Sequence, residues 1–229
     1  TDADTDPDGT APGGTSPATT VAEAMPDAVF GGEIKLEDPD YGEPQYGGTL
    51  RLLLRLDADV FDPHVSTDTT GVVVGALTYE GLVENVRGEI KPALAESWEI
   101  SDDLLTYTFH LGEATFHSGR PVTAEDVVFS LNRVMDPATG SPNIGSYDAI
   151  ASVEATDEKT VVITLSRPHS PMLFLLSALS SSVIDREALD AGGVVTAPSG
   201  GTGPFVLAEH NVGRDIKLVK HENYRIEGF

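Results

Sequence analysis

A mixed α/β fold of the α+β kind is predicted by three observations. Period-two runs mark strands at several places, most clearly at 106–111, where Tyr107, Phe109 and Leu111 alternate with Thr106, Thr108 and His110. Residues 124–135 carry Val127, Val128, Leu131, Val134 and Met135 at helical spacing. Strands and helices then follow one another without strict βα alternation, which argues against a doubly wound dinucleotide fold.

Residues 1–46 hold 11 acids and one base, Lys35, a net of −10 that leaves −13 of the formal −23 for the rest. The opening TDADTDPDGTAPGGTSPATT is short of large apolar residues, so it buries too little to offset the entropy of ordering. A disordered acidic tether is expected there, acting as a spacer or as a solubilising tail. From Gly47 the pattern changes. Leu50, Leu52, Leu54 and Leu56 share one face and Arg51, Leu53 and Arg55 the other, which predicts a largely buried strand ending at Asp62-Pro63. The polar loop 64–70 follows, then an apolar stretch at 72–83 long enough for a helix despite Gly75. Thr123 precedes Glu125 and Asp126 as N-cap and acidic first turn of the helix that runs to Asp136-Pro137. Residues 153–155 and 160–165 flank Asp157-Glu158-Lys159 as a hairpin, and Ser170-Pro171 opens a helix to about Leu179. The glycine-rich stretch 200–204 turns into strands at 205–207 and 215–219.

The charge balance excludes some classes. Among 229 residues, 14 Lys and Arg stand against 37 Asp and Glu, with no basic cluster for phosphate contacts, so no nucleic acid is expected as a partner. With no cysteine there is no disulfide, thiolate metal site or cysteine nucleophile in this stretch. The longest apolar run, 172–184, is too short to span a bilayer. The six histidines form no HExxH and no i, i+4 pair, so no metal or cofactor is expected. No G-x-S-x-G elbow exists, and no Gly-Lys-Ser/Thr follows the 200–204 glycines, whose reading is backbone geometry. Glu125 and Asp126 are explained by capping alone.

The order of motifs GGTLRLLL, LDADVFDPH, PALAESWE, TYTFHL, FHSGRPVTAEDVVFS, GTGPF and HENYRIEGF resembles the family 5 extracellular solute-binding proteins over about 180 residues. These are the peptide and nickel receptors of ABC importers. Gly112-Glu113, where members usually carry an Arg-Lys type pair, and Arg225, where an aromatic commonly follows the tyrosine, are departures.

The resemblance implies a periplasmic-binding-protein-like N-terminal lobe, from 47–79 and 167–229, with an inserted subdomain at 80–166 and the second lobe absent. The strands that return to complete the first lobe are then also expected to be absent. It implies a non-enzymatic extracellular receptor that captures oligopeptides or dipeptides for an ABC permease. Nickel chelates or oligosaccharides are the alternative ligands, and a secreted hydrolase is the alternative of another class. A monomer is expected, lipid-anchored outside the cytoplasmic membrane or periplasmic. The family's ligand loop after Asp-Pro maps onto Ser66, Thr67, Asp68 and Thr69, whose backbone and short side chains are expected to meet a peptide. An ordinary surface loop with an Asx-type turn is the simpler alternative. Where peptide receptors often carry an aromatic after Ser-Pro, this sequence has Asn143, with Tyr147 as the expected substitute at that wall.

Overall fold

The computed structural model describes residues 47–189, 193, 195 and 200–226. The expected tether, 1–46, lies outside the described residues. The architecture is mixed α/β, as expected, and centres on a four-stranded antiparallel sheet in the order β3-β4-β6-β5. Its strands are β3 (Ala95–Ile100), β4 (Thr106–Leu111), β5 (Ile150–Asp157) and β6 (Thr160–Leu165). β4 and β6 are paired with Phe109 opposite Val161 and Tyr107 opposite Ile163, so the alternation read in the sequence becomes one continuous apolar face. Each such fully buried side chain contributes roughly 1.5–3 kcal/mol.

Helix α2 (Ala124–Met135) adds Val127, Leu131 and Val134 to the same core. It starts where it does because the Asp126 carboxylate accepts hydrogen bonds from the Thr123 amide (3.0 Å) and hydroxyl (2.9 Å). It stops at Asp136 because Pro137 has no N–H to continue the ladder. Ahead of the sheet, β1 (Val83–Val86) and β2 (Glu89–Pro92) form a hairpin whose turn residues Arg87 and Gly88 both have positive φ, 55° and 90°. After it come α3 (Met172–Leu176) and the hairpin β7 (Phe205–Asn211) with β8 (Asp215–Lys220). Among the described residues no helix is long and apolar enough to cross a membrane.

Three expectations are corrected. Residues 50–56 form no strand, and Leu50, Leu52, Leu53 and Leu56 are 83%, 60%, 97% and 78% exposed. A two-faced apolar pattern reports what a strand is able to bury, and here no described strand lies alongside to bury it. Helix α1 occupies Thr69–Thr78 in place of 72–83, because Asp68 caps it and the chain leaves at Tyr79 in extended conformation. Beyond it Gly81 lies so close to the Leu176 carbonyl that a Cβ would meet that oxygen at 2.7 Å, and Val83 enters β1. The helix expected from Pro171 to Leu179 is the single turn α3 followed by a 3-10 turn, Leu179–Ser181. The hairpin expected around 157–159 is present and longer, with Asp157 paired to Thr160.

The 200–204 glycines serve backbone geometry. A Cβ on Gly201 would sit 1.9 Å from the Thr78 carbonyl oxygen, and the Gly203 amide donates to that same oxygen at 3.0 Å. This close approach joins the end of α1 to the strand that becomes β7.

Candidate ligand-binding site

The Asp-Pro loop is held from beneath by a buried ion pair. Both oxygens of Asp62 accept from Arg133 of α2, and they also accept the amides of His64 (3.0 Å) and Val195 (3.2 Å). Arg133 Nη1 lies 2.8 Å from His64 Nδ1. A guanidinium only donates, so Nδ1 is the unprotonated acceptor and Nε2–H donates to the Ser182 carbonyl at 2.9 Å. Burial pushes the His64 pKa down to about 4, which keeps the ring neutral. Asp62 and His64 are both fully buried, so they build the loop and do not face a ligand.

On this base the four predicted loop residues come together at the start of α1. Asp68 Oδ1 accepts the Gly71 amide at 2.7 Å as the helix N-cap, and Oδ2 accepts the buried Ser66 hydroxyl at 3.3 Å. Thr67 and Thr69 are exposed. Among the described residues the Thr67 amide and carbonyl make no hydrogen bond. The loop thus offers open backbone groups and two hydroxyls, while the side chains of Ser66 and Asp68 bond to one another and to the helix.

Asn143 is linked to the Asp-Pro loop through Ser141, whose Oγ accepts the Asn143 amide at 3.3 Å. Ser141 Oγ donates to the His64 carbonyl at 2.7 Å, and Asn143 stands two residues on, half-buried. Tyr147 differs from expectation. It is 1% exposed, and its hydroxyl bonds Ser180 (2.9 Å) and Ser181 (2.8 Å), with burial raising its pKa. Its ring is core, so it does not form the wall opposite Asn143. The aromatic there is Phe174 of α3, 64% exposed, which with Asn143 and His169 lines an open concavity of about 410 Å³. Phe174 was hidden within the apolar run 172–184, where nothing local distinguishes an outward residue from an inward one.

Two further polar clusters brace the surroundings. Arg120 pairs bidentately with Asp126 and donates through Nε and Nη2 to Oδ1 of Asp185, whose Oδ2 accepts the Ser118 hydroxyl at 2.8 Å. Burial pushes the Asp185 carboxyl up, but the bonds from Arg120 and Ser118 outweigh it and hold the pKa below the usual range. Glu80, just beyond α1, accepts from the Tyr224 hydroxyl (2.9 Å) and Arg225 (2.6 Å). Burial drives the Glu80 pKa up against that attraction. Arg225, a departure from the family pattern, therefore has a partner of opposite charge.

The family model described as bacterial extracellular solute-binding proteins, family 5 Middle, matches residues 89–228. Heme-binding protein A of Haemophilus influenzae is 40% identical over 172 residues, which cover 64% of this chain and 31% of that protein. Among solved structures, the ABC transporter-associated periplasmic binding protein DppA from Helicobacter pylori, in complex with peptide STSA, matches with a TM-score of 0.65 at 32% identity, covering 74% of this chain and 38% of that one. Haemophilus influenzae OppA, in complex with RPPGFSPFR, matches with a TM-score of 0.68 at 30% identity, covering 74% and 37%. The chain spans about a third of the length of the proteins it matches. Motif order, fold and family model agree, and the chain belongs to the bacterial extracellular solute-binding proteins of family 5.

Proposed function

We propose that this chain is the ligand-facing first part of a non-enzymatic receptor that captures oligopeptides or dipeptides and delivers them to an ABC permease. The observation that carries the reading is the exposed Thr67 backbone, which has no hydrogen-bond partner among the described residues, on a loop anchored by the buried Arg133–Asp62–His64 network. An extended peptide adds to such a backbone as a strand, so affinity does not require one particular ligand side chain. The peptides bound by the matched DppA and OppA structures support the same ligand class. Segments 47–79 and 167–229 act as the first lobe, 80–166 as an inserted subdomain, and a second lobe closes over the ligand. The receptor works as a monomer outside the cytoplasmic membrane, tethered through its acidic head.

Calorimetric titration of a receptor spanning both lobes with di- to pentapeptides tests this. Micromolar binding that weakens about tenfold in Asp68→Ala, through loss of the loop's cap, is the expected result. Binding of nickel–histidine or heme with no response to any peptide would replace the ligand class. Turnover of a polymer, abolished by one acid-to-amide change, would replace the receptor by a hydrolase.

A further inference from the structure

We infer that Phe174 and the concavity it shares with Asn143 receive one apolar or aromatic side chain of the bound peptide. The inference rests on the peptide-receptor reading and names the side-chain class that this wall selects.

In the single turn α3, Met172 and Leu176 point inward and are fully buried, whereas Phe174 faces out at 64% exposure. An outward phenylalanine gains little from folding, and its ring borders a space of about 410 Å³, within the roughly 300–1,000 Å³ of ligand sites. Leu175, also half-buried, adds apolar surface beside it.

The lining has one formal charge, Asp148, and beside it the polar side chains of Asn143, Ser146, His169 and Ser180. Asp148 is ion-paired with Arg167 at 2.8 Å, so that edge carries no net charge. Ser180 in the lining already accepts the Tyr147 hydroxyl. A charged guest entering here would shed water without gaining an opposite charge, whereas an apolar one gains burial and a ring contact with Phe174.

The concavity and the polar loop also belong to one bonded frame. Ser141 is tied to the His64 carbonyl, the His64 ring to Ser182, and Tyr147 to Ser180 and Ser181. A peptide backbone held at Thr67 is therefore bound by the same hydrogen-bonded unit that carries Asn143 and Phe174.

The test is an NMR titration of the 229-residue chain with the tripeptides Ala-Phe-Ala and Ala-Asp-Ala at millimolar concentration, followed at Thr67, Thr69, Asn143 and Phe174. Ala-Phe-Ala is expected to shift all four, and Ala-Asp-Ala only the two threonine amides. Phe174→Ala, at an exposed position, should weaken Ala-Phe-Ala about tenfold and leave Ala-Asp-Ala unchanged. Threonine shifts with both peptides and none at Asn143 or Phe174 would overturn the pocket while leaving the receptor reading standing. Equal Phe174 shifts with both peptides would overturn the apolar preference. Silence at all four positions up to the solubility limit would overturn the pocket, while the receptor reading stands or falls with the calorimetric titration of the two-lobe receptor.

Discussion

Glu80 and Arg225, 145 positions apart, meet at 2.6 Å with side chains only 12% and 20% exposed. The pair clamps the chain just beyond α1 to the residues after β8, near the end of the described chain. The second Glu80 oxygen and Arg225 Nε are buried without a partner among the described residues, so the pair is only partly satisfied. Removing one member leaves the other charge buried and uncompensated, which is the costly case. Arg225→Met is expected to destabilise by about 2–3 kcal/mol, or roughly 5–10 °C in Tm, with Glu80→Met/Arg225→Met recovering part of the loss. Thermal unfolding of the three proteins reads this, and an unchanged Tm in Arg225→Met would show the clamp to be inert.

His64 predicts an acid-labile fold. Its folded pKa of about 4 lies below the ordinary 6.5, because burial disfavours the imidazolium. Between those values the unfolded chain binds a proton that the folded chain does not, so stability is full above about pH 6.5 and falls as pH drops towards 4. The linked loss is on the order of 3 kcal/mol. In His64→Gln, which retains a donor for the Ser182 carbonyl, the slope of stability between pH 6.5 and 4 should flatten relative to the parent. Parallel slopes in urea titrations across that range would refute the assignment.

Much of this was legible locally and some of it was not. The alternation in β4 and the capping of α2 are written in consecutive residues, and both appear where expected. Leu50, Leu52, Leu53 and Leu56 display an equally clear alternation yet stay exposed, because a strand also needs a neighbour that its own residues do not encode. The resemblance singles out the loop 66–69, but Asp68 as the cap of α1 is not legible, since a polar run before an apolar one offers several start points. Tyr147, expected at the wall beside Asn143, lies in the core, and Phe174, for which the sequence sets no expectation, stands outside. That choice is made by Ser180 and Ser181, more than 30 residues away. The arginine partners are equally distant: Arg133 with Asp62 and Arg120 with Asp185 leave no local signature.

Gly201 is where the backbone has least room. A methyl group there would need to displace the Thr78 carbonyl, which already accepts the Gly203 amide. Gly201→Ala should therefore cost about 3 kcal/mol or more, at or above the top of the usual range for overpacking, or fail to accumulate in folded form. Gly145→Ala, where an added Cβ meets nothing within 4 Å, is the matched control and should be within about 0.5 kcal/mol of the parent.

Binding by the 229-residue chain alone is expected to be weak, for reasons of geometry. A two-lobe receptor encloses its ligand, and the second wall contributes contacts while excluding the water that competes for groups such as the Thr67 amide. Without that wall the ligand loses several hydrogen bonds at about 0.5–1.5 kcal/mol each, together with the apolar burial behind them. Each 1.4 kcal/mol is tenfold, so a micromolar receptor becomes millimolar or weaker. Calorimetry with the 229-residue chain should then show no saturable heat with peptides, while a receptor extended through the second lobe saturates. Stoichiometric, micromolar binding by the 229-residue chain would sink the cleft model and place the site wholly within the described residues, with the concavity beside Phe174 as the first position to substitute.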